Sequence, residues 1–507
     1  MTLAPFFGGR SYEKSLYPEL EYVFKHALTQ EVAYNSLLLK RRKQIHEKTG
    51  KAIEELYPDR LEQFCEALAH HYSMSENWEK AFQYFKLSGQ KAARNYSQWE
   101  AFNSYRAALG ALDKLPPSEE NQRASVAVRL LMDAPVFTLG YPPGSIEILR
   151  EGVRVSRELG DEKSLANLQT MLSCGLSSKG QSLEGLSIAE ALFQKAEKAQ
   201  DIDLMVAGGF EICANAMNLG QYLKIVEVSA KCIALLEKTH RQADYFGRAF
   251  NTYSAFLGNQ GVAMALLGRI TEGIGLCEKS LRFARGIDNR YSLAMAEYWC
   301  GNVLAVKGDG KRALEHLREA VKHCEATQFV FFLSETYGAL GLAYTYLGDM
   351  EAARLHQEKT IKLSTEADIS TNLSVSHMCL GMVHFFSGDL AKARSCAEEG
   401  LRLAQQNSER AYEGLSWLLL GAAVGAADLS QSAKAEEYLL KGLSIEEDIG
   451  ARAFSGPGHL WLGQHYASSG QKEEAREHLT MARTMFEEMG MDFYLGLAES
   501  SLDSLSR

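Results

Sequence analysis

Pairs of glycines seven residues apart recur along this chain, among them Gly261/Gly268, Gly301/Gly308, Gly341/Gly348, Gly381/Gly388 and Gly463/Gly470. The second glycine returns every 40 residues at 268, 308, 348 and 388, and the same interval separates Gly140, Gly180 and Gly220 upstream. The phase slips once, by eight residues, between 220 and 268. A fixed period of this size marks an array of small supersecondary units. Each unit of an array buries its apolar face only against its neighbours, so the 507 residues read as one long stack rather than several independent globules.

Within a unit the pattern is helix, tight turn, helix. Apolar residues follow helical spacing before the turn, as Leu340, Tyr344 and Leu347, and after it, as Ala353, Leu355 and Ile361. The glycine at the turn supplies a left-handed backbone that ends the first helix, and Asp309, Asp349 or Asp389 next to it caps the second. Five residues past the turn comes a small residue, Ala313, Ala353, Ala393 or Ala475, with Gly185 and Gly273 at matching places. The first glycine of each pair lies two helical turns before the second, where a missing side chain lets the partner helix approach. The clearest units span 250–410 and 455–490. Weaker ones lie at 68–95, around Pro142-Pro143, and at 415–449, where Asp428 or Ser430 occupies the turn.

The order aromatic, Leu, Gly, Tyr, Gly, Ala in Tyr337, Leu340, Gly341, Tyr344, Gly348 and Ala353 resembles the tetratricopeptide repeat family. The resemblance implies an all-α fold, a right-handed superhelical solenoid with a concave groove that receives a protein or peptide. The standard unit is about 34 residues, so the period of 40 matches the longer-helixed variants found on bacterial signalling proteins. The late aromatic of the family pattern is missing, and Gln357 stands in its place. The family geometry turns Val375, Met378, Met382 and Phe385 of one unit, with Met295, Tyr298 and Asn302 of another, toward the groove. Such a soft, Met-rich strip suits an amphipathic helix or an extended peptide. The alternative, that these residues pack against the next repeat, is equally open. Charged replacements at Met378 and Phe385 separate the two readings.

Residues 1–60 do not follow the glycine beat. The segment EYVFKHALTQEVAYNSLLLKRRKQIHEKTGKAIEEL carries Phe24, Lys25, His26, Ala27, Leu28, Glu31 and Tyr34. That stretch resembles the end of the winged-helix module of bacterial STAND-type ATPases, including those fused to adenylate or guanylate cyclase domains, where a strand runs into a helix. The resemblance divides the chain into a winged-helix remnant with a linker helix over 1–60 and the repeat array over 61–507. It makes His26 a nucleotide-sensing position only if an ATPase domain is supplied. The plainer reading is a capping or packing histidine. A phosphate-binding loop is missing, since the nearest text, Gly308-Asp309-Gly310-Lys311-Arg312, lacks both the upstream glycine and the hydroxyl.

Composition narrows the partners. A formal net charge of −10 argues against nucleic acid and anionic lipid. The basic run Lys40-Arg41-Arg42-Lys43 sits among Glu47, Glu54 and Glu55 and reads as a solvated helix face. The longest apolar stretch, 415–427, is too short to span a membrane. Nine scattered cysteines without C-x-x-C spacing read as reduced thiols of a cytoplasmic protein. His70-His71, His377/His384 and His316/His323/Cys324 lack ligand spacing, so no metal is expected, nor any cofactor or catalytic residue. The expected function is an interaction scaffold, or the sensor and regulatory arm of a bacterial signal-transduction protein, without enzymatic activity. An alternative is the C-terminal regulatory part of a STAND ATPase or adenylate/guanylate cyclase whose catalytic domains are absent from this chain, or a separate ATPase or cyclase as partner. A small-molecule or peptide receptor is a third reading.

Overall fold

A computed structural model describes residues 11–16, 19–24, 31, 32 and 34–506. Contacts divide the chain into two compact units, one of Met1–Asn95 with Glu100–Val128, the other of Tyr96–Trp99 with Arg129–Arg507.

The first unit opens with a hairpin, β1 (Ser11–Leu16) antiparallel to β2 (Glu19–Phe24), with Ser11 opposite Phe24 and Leu16 opposite Glu19. These strands are the exception to an otherwise helical chain among the described residues. His26 lies outside the described residues. Helices α1 (Leu39–Leu56), α2 (Cys65–Ser75) and α3 (Trp78–Arg94) follow, with most of α4 (Gln98–Leu112) and α5 (Glu119–Leu131). Leu68, Tyr72, Ala81, Tyr84 and Ala111 build its core. Glu54 on α1 ties the bundle together by accepting from Tyr72 Oη at 2.7 Å and Tyr84 Oη at 2.6 Å while pairing with Lys80. In the basic run on α1, Lys40 and Arg41 are exposed and Lys43 pairs with Glu76.

The second unit begins with the short α6 (Asp133–Thr138) and α7 (Ser145–Glu158). Hairpins then follow in series: α8 (Glu162–Ser178) with α9 (Ser182–Ala199), α10 (Ile202–Asn218) with α11 (Tyr222–Lys238), α12 (Thr252–Leu266) with α13 (Ile270–Ile287), and α14 (Arg290–Lys307) with α15 (Gly310–Thr327). The series continues with α16 (Val330–Tyr346) and α17 (Met350–Glu366), α18 (Leu373–Phe386) and α19 (Leu390–Asn407), α20 (Arg410–Ala427) and α21 (Ser432–Asp448), α22 (Arg452–Ser468) and α23 (Lys472–Met489), and the last helix α24 (Asp492–Leu505). The array is a helical solenoid of the tetratricopeptide type.

The glycine beat falls where the chemistry requires it. Gly308 caps α14 with φ +88°, a backbone an L side chain rarely adopts, and Asp309 beside it accepts from Arg312 N at 3.2 Å to start α15. A Cβ on Gly341, the first glycine of its pair, would stand 2.5 Å from Gln357 Nε2, so the Gln357 side chain of α17 occupies the space that a side chain on α16 would need. Opposite these glycines Ala313, Ala353, Ala393 and Ala475 are fully buried. The eight-residue slip is the loop 239–251 between α11 and α12.

First helices of successive hairpins pack side by side, α8 on α10, α10 on α12 and onward to α22 on α24, forming an inner row. That row is strongly apolar: α12 and α18 carry no Asp, Glu, Lys or Arg, and α16 carries Glu335 alone. The second helices hold the surface ion pairs, such as Arg354 with Glu358 on α17 and Arg402 with Glu399 on α19. The trough expected from the repeat pattern is closed over rather than open. The end of α8 meets the start of α18 some five units later, where Ser370 N and Thr371 N both donate to Ser178 O at 2.9 and 3.2 Å and Lys179 Nζ meets Asp368 Oδ2 at 2.9 Å. Further along, Gly268 abuts Arg452, Gly308 abuts Phe493, and Tyr346 Oη lies 3.1 Å from Tyr494 Oη. Closure removes from water an apolar inner face that an open groove would expose, at about 25 cal/mol per Å² buried.

Candidate functional site: a chamber along the inner helices

Closure leaves a chamber of about 210 Å³, walled by α6 and the inner helices α8 to α24. A recess of about 80 Å³ shares Tyr298, Asn302, Glu335, Asn372, Val375 and Tyr412 with it and adds Gln357 and Thr360. The wall is mainly apolar and aromatic, with Phe331, Phe332, Tyr346, Tyr412, Phe454 and Trp461 among its residues. Among the described residues, Glu335 is the one Asp, Glu, Lys, Arg or His that lines it.

Glu335 comes from the first turns of α16 and receives neutral donors. Asn372 Nδ2, from the turn before α18, donates to its Oε1 at 2.9 Å, and the Tyr298 hydroxyl of α14 hydrogen-bonds to the carboxyl as well. Asn302, one turn along α14, donates in turn to Tyr298 Oη at 3.3 Å. No described Lys, Arg or His forms an ion pair with Glu335, and burial pushes its carboxyl up to about 7 against those two hydrogen bonds. Gln357 on α17 is fully buried. Its Nε2 donates to Gly338 O at 2.8 Å, while its Oε1 has no hydrogen-bond partner.

A second buried acid sits deeper in the same unit. Glu211 on α10 is fully buried and pairs with Arg248, which also reaches Asp133 Oδ1 at 3.0 Å. Arg248 comes from the inserted loop 239–251, where Phe246 and Gly247 both take positive φ and turn the chain inward. Burial raises both carboxyls, with Arg248 opposing. The phase slip in the sequence is therefore the segment that carries a counter-ion into the core.

Five of the residues expected at the groove line the chamber: Tyr298, Asn302, Val375, Met378 and Met382. Met378 and Met382 are 3% and 6% exposed, so the strip faces an interior space, and a charge at Met378 is a core substitution. Met295, 1% exposed, lies in the packing around the chamber, and Phe385 is half-buried with its ring 6.3 Å from Trp461. Glu335 escaped the sequence reading, although it is the single charge in VFFLSETYGALGLAYTY and that isolation is a visible signal. Tyr412 and Trp461 escaped too, because groove positions were read only from the units that hold Met295 and Val375.

His316 Nδ1 lies 2.6 Å from Glu297 Oε2, and His46 and His71 face each other Nδ1 to Nδ1 at 2.8 Å. No group of three His, Cys, Asp or Glu suited to a metal occurs among the described residues. All nine cysteines are free thiols, eight of them buried. No described helix is long and apolar enough to cross a membrane.

Residues 301–495 match the family model of the MalT-like TPR region. No curated protein sequence matches the chain. Among solved structures, the APC/C hetero-tetramer Cut9-Hcn1 is similar at 16% identity, covering 93% of this chain and 85% of that one with a TM-score of 0.52. A Rap protein complexed with competence and sporulation factor aligns at 12% identity over 81% of this chain and 99% of that one, TM-score 0.44. The apo quorum sensor NprR from B. thuringiensis aligns at 14% over 72% and 99%, TM-score 0.45. At such identities the likeness is one of fold.

Proposed function

We propose that this chain is a non-catalytic binding and regulatory scaffold whose guest, a peptide or a segment of a partner protein, places a side chain in the chamber of the inner helices. The observation that carries the reading is the chamber itself: an aromatic-lined space with a few convergent polar groups, in the inner row of a solenoid that needs no cavity for stability. Its 210 Å³ falls below the roughly 300–1,000 Å³ of sites for drug-sized ligands. One side chain or a compact fragment fills it, and a longer guest would run along the array. Because the walls come from units joined by the contacts between α8 and α18, occupancy favours the closed superhelix over any opened form, which is how a scaffold of this build would transmit a signal.

The test is a random-peptide array probed with the full chain and with Val375→Trp, which fills the chamber. Peptides retained by the parent and lost by the variant support the reading. A set of bound peptides identical for the two proteins contradicts it.

The second reading, a regulatory arm for a STAND-type ATPase or cyclase, is favoured by the resemblance over Phe24–Tyr34. A phosphate loop in the reading frame upstream of this sequence would support it. A frame with neither that loop nor a cyclase core would count against it.

A further inference from the structure

We infer that the chamber recognises an organic cation, the ammonium or guanidinium head of a compact apolar amine or of a Lys or Arg side chain. The inference rests on the reading that the chamber is the binding site, and it names the chemistry of what enters.

The charge of the wall decides the sign of the guest. Glu335 is the sole charged residue among the described lining, so a phosphate or carboxylate would meet no positive group and would face a carboxyl instead. Glu335 has only neutral donors, Asn372 and Tyr298, so no positive group of the described chain offsets its charge. The same fold gives another buried acid a cation of its own chain, since Glu211 shares the Arg248 guanidinium with Asp133. At Glu335 the corresponding cation is missing from the described chain, and a guest is the available source.

Gln357 points the same way independently. Its position departs from the repeat pattern, which puts an aromatic there, and the substitution brings a fully buried amide whose Oε1 has no partner. An unsatisfied buried acceptor costs about 1–3 kcal/mol. Glu335 and Gln357 both line the recess, so a carboxyl without a cation and an amide with an unpartnered oxygen border the same space. An ammonium offers three donors and a guanidinium five. The faces of Tyr298, Tyr412 and Trp461 then suit the apolar body and the positive charge of the guest.

The experiment titrates the full chain calorimetrically with phenethylamine, its neutral counterpart 2-phenylethanol and its anionic counterpart phenylacetate. In parallel, Arg-containing peptides from the array are compared with versions carrying citrulline, the neutral analogue of Arg. The cation in at least one pair binds roughly tenfold or more tightly than its neutral partner, and phenylacetate does not bind. Glu335→Gln removes that preference with the unfolding midpoint retained, and Gln357→Leu weakens it. Binding of phenethylamine alone identifies a small amine as the guest, and binding of Arg peptides alone identifies a peptide side chain. Equal binding of charged and neutral partners, an undiminished preference in Glu335→Gln, or no binding by either cation overturns the inference. Neutral peptides that bind the parent and Glu335→Gln alike but not Val375→Trp would sink the cation and leave the chamber as the site. Peptide binding insensitive to Val375→Trp sinks the site reading itself.

Discussion

Glu211 and Glu335 are the same kind of residue in the same kind of place, a glutamate on an inner helix of one solenoid, and they are treated differently. Glu211 is sealed and shares Arg248 with Asp133, whereas Glu335 faces a chamber and has only an amide and a phenol for company. The first arrangement is a lock: the chain spends a loop of extra residues to bring a guanidinium inward and pin α6, α10 and the loop together. The second is a vacancy in the electrostatics with room beside it. Glu409 and Glu446 are buried without a cation as well, so what sets Glu335 apart is the space beside it, where a guest can supply one.

The largest effect that would sharpen the contrast is removal of the lock. Arg248→Met leaves two buried carboxyls without their cation, and breaking a buried pair from one side costs about 3–5 kcal/mol. Urea unfolding should show a midpoint lower by a corresponding amount. A loss under about 1 kcal/mol would place Arg248 among ordinary surface pairs and remove the comparison.

Next in size is the response to pH. Burial holds Glu335 and Glu409 near 7, and Glu446 is raised as well, so the folded chain keeps protons that the unfolded chain releases above about 4.5. Bound protons in excess on the folded side make stability fall as pH rises. For Glu335 and Glu409 the fall should run from about pH 4.5 to 7, on the order of 1–3 kcal/mol for each, and Glu446 adds to it in the same direction. Glu335→Gln should flatten part of that slope. A thermal midpoint constant across the window would show that these carboxyls ionise freely.

Smallest is the effect of Glu335→Gln on stability at low pH, where the parent carboxyl is itself neutral. A change within about 1 kcal/mol is expected, since one hydrogen-bonding neutral group replaces another. A larger loss at pH 5 would mean that Glu335 is a structural group like Glu211.

The glycine beat made the array legible, because a left-handed turn and a close helix approach can hardly be built without glycine, and both leave fixed positions in the sequence. Gly308 and Gly341 stand where the spacing put them. Closure was not legible. Contacts such as Ser178 to Ser370 join units far apart in sequence, and they follow from small rotations added over several repeats, which no local pattern records. The eight-residue slip was visible as an interruption, yet its purpose depends on Asp133 and Glu211, which sit well outside any window that shows the slip. Met378 and Met382 line the chamber, but whether their face of the helix meets solvent or an interior space is decided by the closure. Gln357 was visible as a departure from the repeat, and its orphaned oxygen is visible only with α16 packed against it.

The central claim is that Glu335 completes its electrostatics with a guest, and a crystal structure of the full chain grown with phenethylamine tests it most directly. The account predicts the amine nitrogen inside the recess, at roughly 2.7–2.9 Å from a Glu335 oxygen. An amine seated elsewhere on the molecule, or a chamber holding only water beside an unchanged Glu335, would contradict it.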